Sequence, residues 1–350
     1  MKKLNTISID LAKSVFQVAI INHKGKILSN KKIARKKLME LIVNQPRSFI
    51  AMESCGSSNY WGRKFQLLGH EVKLISAQHV KPFVKSNKND ANDAIAIYEA
   101  SHRPNMKFVS IKTLEQQDIQ SIHRSRQRLI DTRTRLVSHA RGILAEYGLI
   151  FKVGVTNLRN GLASLINDEN ESYSDETTEG LLLLVQDWYD ELVSLDIAIE
   201  KKNLTIKAIA RNSEQAKRLM QLEGIGVITA TAMVASLGTQ ATEFKNGREM
   251  AAYLGLTPKQ FSSGGKSKLS GISKRGDAYL RTLLVNGATS VIQALGTKTD
   301  PKSQWIHQLL CRMHKSKARV ALANKMARIC WVILAKGERY KPELASAIAI

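Results

Sequence analysis

"NTISIDLAKSVFQVAIIN", residues 5–22, decides how the first third of the chain is read. Two β-branched, apolar runs lie either side of a short polar break, and Asp10 interrupts the first of them. Short apolar runs bounded by turn signals read as strands. Working outward, "GKILSNKKIA" (25–34) after the turn "NHKG" is a third strand, and "SFIAMES" (48–54) and "EVKLISA" (71–77) add two more. The helical "NYWGRKFQLLG" (59–69) stands between those last two. Strands separated by helices predict an α/β sheet with covered faces over residues 1–112.

The pattern then changes. Ile122, Leu129, Leu136 and Ile143 recur every seven residues, with Ile130, Val137 and Leu144 beside three of them. Leu181, Trp188 and Leu195 form a second such row, and Val185, Leu192, Ile199 and Ile206 a third. Sustained heptads predict two long helices paired as an antiparallel or intermolecular coiled coil over residues 113–212. The first helix carries Arg124, Arg126, Arg128, Arg133, Arg135 and Arg141, a set that suits either a solvated face or contact with a polyanion. The acidic "NDENESYSDETTEG" (167–180) is the turn between the helices. Residues 213–350 read as mainly helical and basic.

Over 350 residues, 53 Lys+Arg against 30 Asp+Glu leave a net charge of +23, the electrostatic footprint of a nucleic-acid binder. No apolar run approaches the roughly 18–20 residues that span a bilayer, and "MKKLNTISID" reaches Asp10 before a signal-type core forms. No membrane partner and a cytoplasmic, nucleoid-associated protein are expected. Cys55, Cys311 and Cys330 are scattered, which excludes a disulfide framework or a zinc site built on paired cysteines.

Against this basic background, "SNKNDANDA" (86–94) sets Asp90 and Asp93 three residues apart behind Lys85 and Lys88. One reading is local: Asp90 caps a helix and Asp93 sits in its first turn. The other joins them to Asp10, inside the first strand, and Glu53, at the end of "FIAME" just before the turn-prone "CGSS". Four converging carboxylates suit a hard cation such as Mg²⁺, held at about 2.0–2.1 Å and used to neutralise phosphate oxygens. Without one, clustered like charges repel or protonate. The constellation resembles the ribonuclease H-like fold of Holliday-junction resolvases of the RuvC type. "SIDLAK", "MESCG" and "NKNDANDA" together resemble, more closely still, the Asp-Glu-Asp-Asp transposases of the insertion-sequence one-ten family, eleven-eleven subgroup. That family's first motif opens Gly-Ile-Asp, where this chain has Ser8. The resemblance implies that Asp10, Glu53, Asp90 and Asp93 are the metal-site acids.

In the C-terminal half, "LEGIGVITA" (222–230) has the Gly-Ile-Gly turn of a helix-hairpin-helix. Gly224 and Gly226 allow close backbone approach, and the amides opening the next helix can bind a phosphate, although an ordinary interhelical turn reads the same way. "YLGLTPKQFSSGGKSKLSGISKRGDAYLR" (253–281) centres on a Gly/Ser-rich loop carrying Lys266, Lys268, Lys274 and Arg275. A serine there can attack a phosphodiester if the developing charge is stabilised, and no Ser-His-Asp order is evident. Further on, Arg312, Lys315, Lys317, Arg319, Lys325 and Arg328 surround apolar residues as an amphipathic basic face.

"GLTP", the aromatic-x-Ser-Gly pattern at Phe261-Ser262-Ser263-Gly264 and "GISKRGDAYLR" are similar to the same family's C-terminal domain. The resemblance implies that Ser263 is the nucleophile, with Ser262 an adjacent rival that spacing does not exclude. It implies an insertion-sequence transposase acting as a site-specific DNA recombinase through a covalent phosphoserine, at a composite site with the acids and Mg²⁺. Its partners would be donor and target double-stranded DNA and a guide RNA from the element's non-coding end, with a homodimer assembling to a tetramer through the coiled coil. Two alternatives stay open: a metal-only structure-specific nuclease, and a non-catalytic RNA-binding scaffold.

Overall fold

The computed structural model describes residues 4–84, 89–167, 177–238, 240–263 and 266–341. The chain divides into two compact units between Glu115 and Gln116. In the first, apolar runs of five to eight residues become β1 (Thr6–Asp10), β2 (Val15–Ile21) and β3 (Ile27–Ala34), followed by α1 (Leu38–Val43) and β4 (Phe49–Glu53). Then come α2 (Ser58–Leu67), β5 (Glu71–Ile75), α3 (Ala77–Val80), α4 (Asp90–Ser101) and the short β6 (Phe108–Val109). The sheet order is β3-β2-β1-β4-β5-β6. Strands β1, β4 and β5 are parallel, whereas β2, β3 and β6 pair antiparallel to their neighbours.

Because strand side chains alternate, the two faces of this sheet carry different residues. Ile7, Ile9, Ile50, Met52 and Leu74 point to one face, where Leu38 and Ile42 of α1 and Trp61 and Phe65 of α2 complete a bulky core. The other face is lined by small groups: Ala19 packs with Ala94 of α4, and Ala51 with Ala96, Ile97 and Ala100. An alanine-rich helix over a small-residue face lets α4 lie close to β1. Ser8 shares this parity; it is fully buried, and its hydroxyl has no hydrogen-bond partner among the described residues.

The second unit opens with α5 (Leu114–Glu146), α6 (Val155–Ile166) and α7 (Glu179–Asn212). Arg126 donates to Asn203 at 2.6 Å, Arg133 to Asp196 at 2.5 Å, and the His139 ring meets Trp188 edge-on, so α5 and α7 run antiparallel within the chain. Leu129, Leu136, Val137 and Leu144 bury against Leu181, Val185, Trp188, Leu192, Leu195 and Ile199, and Leu158, Leu162 and Leu165 of α6 close the cluster. The heptad positions are thus used inside one molecule. Residues 168–176 of the acidic turn lie outside the described residues. A second core holds α8 (Glu214–Met220), α9 (Val227–Leu237), α10 (Gly247–Tyr253), α11 (Ala278–Gln293), α12 (Pro301–Arg312) and α13 (Lys315–Lys336). Between α10 and α11 rises a hairpin of β7 (Pro258–Ser263) and β8 (Lys266–Ile272).

Candidate metal centre and serine hairpin

The parallel pairing of β1 with β4 ends at Ile9 opposite Met52. One step further on each strand stand Asp10 and Glu53, on the face that α4 covers. Helix α4 begins beside them. Its cap is Asn89, whose side chain accepts from the Asn92 amide at 2.8 Å, and not Asp90, as the local reading of the motif has it. Asn is as good a cap as Asp, and its position here leaves Asp90 as the first helical residue with its carboxylate not used by the cap. Asp10, Asp90 and Asp93 each bring an oxygen within 4.8 Å of the others. Oxygens around one octahedral Mg²⁺ lie about 2.9–4.2 Å apart, so the three fit a single hard cation with small side-chain shifts. Glu53 shares the sheet face but stands outside that close group.

Cys55 tests the chemistry of the donors. Burial, then the charges of Glu53 and Asp10, push its thiol up to about 11. Both carboxylates therefore act on one sulfur, and the close group itself consists of carboxylate oxygens, the donors a hard ion takes. Lys32 of β3 meets Asp90 at 2.9 Å in an exposed pair. Gln17, opposite Asp10 on β2, donates to Asn30 at 2.6 Å, and Asn30 donates to the Ala91 carbonyl at 3.1 Å. These two amides tie the first turn of α4 to the antiparallel half of the sheet. The sequence reading missed Gln17, Asn30, Lys32 and Asn89. Only Asn89 had a signal, as a capping residue just before the helix.

The Gly/Ser-rich segment expected as a loop is the β7–β8 hairpin. Its strands form because Gln260, Phe261, Ser262 and Ser263 pair with Leu269, Lys268, Ser267 and Lys266. Every residue of β7 is exposed. Alternation separates the two serines: Gln260 donates to the Ser262 hydroxyl at 2.8 Å, so Ser262 shares its face, while Ser263 lies on the face of Phe261. At the base, Ser273 donates to the Thr257 carbonyl at 2.8 Å and Lys274 to that of Gly255 at 3.2 Å. Gly255 and Gly276 have φ of +72° and +82°, and a Cβ on either would meet backbone oxygen of Arg275 or Tyr253 within 2.2 Å. Arg281 donates to the carbonyls of Leu254 and Arg275, at 3.1 and 3.2 Å, and closes this root. The hairpin is a projecting arm on a rigid base. Lys85, Lys88, Gly264 and the side chain of Lys266 lie outside the described residues.

Residues 7–149 match a family model described as a transposase, and residues 216–304 match the transposase IS116/IS110/IS902 family. A probable family 20 transposase of Pseudomonas aeruginosa is 42% identical over 97% of this chain and 99% of its own. The chain belongs to the IS116/IS110/IS902 transposase family. The transposase for insertion sequence element IS1111A of Coxiella burnetii is 40% identical over 97% of this chain and 92% of its own, and that for IS1328 of Yersinia enterocolitica is 37% identical over 96% and 98%.

In this transposase α8 and α9 form the expected helical hairpin, with Gly226 as the exposed cap of α9. Gly224 does something else. At φ +87° it packs on α11, where a Cβ would meet the Gly287 carbonyl at 2.8 Å, and a Cβ on Gly287 would meet the Gly224 carbonyl at 2.0 Å. Its glycine is required by that backbone contact. Lys268, Lys274 and Arg275 are exposed on or beside the hairpin. The basic face read for the last helix includes one misplaced residue: Lys325 is buried, its amine 4.2 Å from the centre of the Trp305 ring. Among the described residues no helix is long and apolar enough to cross a membrane.

Proposed function

We propose that this transposase mobilises an insertion sequence as a site-specific DNA recombinase. The N-terminal unit is the resolvase-like, ribonuclease H-like half, a reading supported by the strand order and by the parallel β1–β4–β5 core. The observation that carries the proposal is the convergence of Asp10, Asp90 and Asp93 at the end of that core. With Glu53 they would hold Mg²⁺, which when bound neutralises phosphate oxygens. Ser263 is the nucleophile: its Oγ bonds to a backbone phosphorus as one P–O bond of the DNA breaks. The serine proton leaves, and the released DNA oxygen is protonated. Lys268, Lys274 and Arg275 hold the phosphates near the arm, and the amides at Gly226 add a contact without sequence specificity. Donor and target DNA are the substrates, an element-encoded guide RNA chooses the sequence by base pairing, and a dimer assembling to a tetramer supplies several active sites.

The deciding experiment is a denaturing gel of end-labelled DNA with wild type, Ser262→Ala and Ser263→Ala. A retarded protein–DNA adduct lost only in Ser263→Ala is the expected result. Loss only in Ser262→Ala moves the nucleophile by one residue. Cleaved ends without adduct in every lane would leave the acids and their metal as a nuclease centre, and the serine as a DNA-contacting residue.

A further inference from the structure

The six arginines of α5 do two different jobs. Arg126 and Arg133 donate to Asn203 and Asp196 of α7, and Arg141 donates to the carbonyls of Phe151 and Lys152. Spaced seven and eight residues apart, these three serve the packing of the helices, and Arg126 also bonds the Tyr279 side chain. Arg124, Arg128 and Arg135, spaced four and seven apart, lie on the other face of α5 and line an open cleft of about 470 Å³. Its far wall is Ala232, Ala235 and Ser236 of α9 together with Asp277 and Tyr279 at the start of α11.

Three features suit this cleft to a ligand. First, its arginines outnumber its acids three to two, and Arg124 and Arg128 have no ion pair among the described residues. Two of the lining residues, Asp131 and Asp277, are acids whose oxygens already accept hydrogen bonds. Asp131 accepts from Gln127 at 2.8 Å, and Asp277 caps α11 by accepting from the amides of Tyr279 and Leu280. Second, the floor is held rigid and uncharged. Thr231 donates to the Val227 carbonyl at 2.7 Å, so its oxygen accepts from His123 Nε2 at 2.9 Å, and His123 Nδ1 accepts from the Tyr279 hydroxyl at 3.0 Å. His123 is 2% exposed. Third, the wall from α9 and α11 offers Ala232, Ala235 and the aromatic side chain of Tyr279, beside Ser236 and Asp277. The volume lies within the ordinary range for small-ligand sites, about 300–1,000 Å³, and too small for a duplex.

We infer that this cleft binds one unpaired nucleotide of a single-stranded nucleic acid, its phosphate on Arg124 and Arg128 and its base against Ala235 and Tyr279. Guanidinium forks suit phosphate oxygens, and stacking on an aromatic face is tolerant of base identity. The inference rests on the reading of the chain as a nucleic-acid-handling transposase. It adds a place for a strand built from residues other than the acids and the serine.

The test is fluorescence anisotropy of the full-length protein with three labelled probes: oligothymidylate and oligouridylate of eight nucleotides, and a 20-base-pair DNA duplex. Arg124→Gln/Arg128→Gln keeps helix-forming residues on an exposed face, so the fold is expected to survive, which circular dichroism checks. Lys24→Gln/Lys26→Gln removes the same charge from an exposed turn elsewhere. The expected result is at least a tenfold loss of single-strand affinity in the arginine variant, with under a threefold loss for the duplex and for the lysine variant on every probe. The salt slope for single strands should also fall by about 0.7, for one phosphate contact. A greater loss on oligouridylate identifies an RNA nucleotide, and on oligothymidylate a DNA nucleotide; either supports the cleft. Equal losses for the two variants, or none for the arginine variant, overturn it. Wild-type protein that binds none of the probes would remove the nucleic-acid reading itself.

Discussion

Asp10 stands at the end of a strand bonded on both sides, with its preceding residues buried, whereas Ser263 ends a strand with all six residues exposed. The acids are placed by a sheet and a close-packed helix. The serine is placed by an arm whose rigidity is concentrated at its root, in Gly255, Gly276 and Arg281. The difference follows the chemistry proposed for each. A metal site needs ligands held to a fraction of an ångström, which a packed core supplies. A nucleophile that must enter a polyanion's backbone needs reach, which a packed core denies it.

The largest effect that could break this comparison is at the acids. Asp10→Asn is expected to lower strand cleavage by about 10²–10³-fold or more, as for loss of one charged group at a transition state, with an unchanged thermal transition. Near-wild-type cleavage would take Asp10 out of the site. Next is the root of the arm. Gly255→Ala combines a left-handed backbone with a backbone clash and should cost roughly 2–4 kcal/mol in denaturant unfolding. Gly271→Ala, in β8 with open space around it, should change little. If both are tolerated alike, the root is not rigid.

A smaller effect sharpens the picture of the helical unit. Burial, then the Arg126 charge, pull His123 down to about 4, from an ordinary value near 6.5. The folded state therefore holds His123 neutral while the unfolded chain takes up a proton below about pH 6.5. Its contribution is complete above that pH and is lost as the pH falls toward 4, about 2 kcal/mol of it by pH 5. His123→Gln should flatten this part of the unfolding profile, and an unchanged slope would refute the buried relay. The smallest effect is at Asn30. Asn30→Ala removes the link from Gln17 to α4 and should cost about 1 kcal/mol, with weaker Mg²⁺ binding by calorimetry. Unaltered Mg²⁺ affinity would show that α4 is held by its alanine packing alone.

Much of this was legible in the sequence because it is local. The strands through "ISID", "FIAME" and "EVKLI" follow from short apolar runs, and the two long helices from their heptads. The exposed arm was harder, since "KQFSSGGKSKLSGI" has loop composition, and its pairing comes from the register across the turn. Lys325 was misread because its helix turns that position under Trp305, a contact no spacing along the chain announces. The arginines of α5 looked like one basic face, yet they divide by helical phase only once α7 occupies one side.

The sequence by itself determined the α/β and helical halves, the basic character, and the residue types available for an oxygen-only metal site and for a serine nucleophile, because these depend on composition and short-range periodicity. Only the tertiary structure decided that Asp10, Asp90 and Asp93 converge while Glu53 stands aside, that Asn89 and not Asp90 caps α4, and that Gly224 is required by Gly287. The first and last of these depend on the distance between residues far apart in the chain, and the cap on which of two adjacent local bonds the helix start uses. That distance is set by the small side chains of Ala19, Ala51 and Ala94, and by backbone-to-backbone contact at two glycines, which let the elements approach so closely.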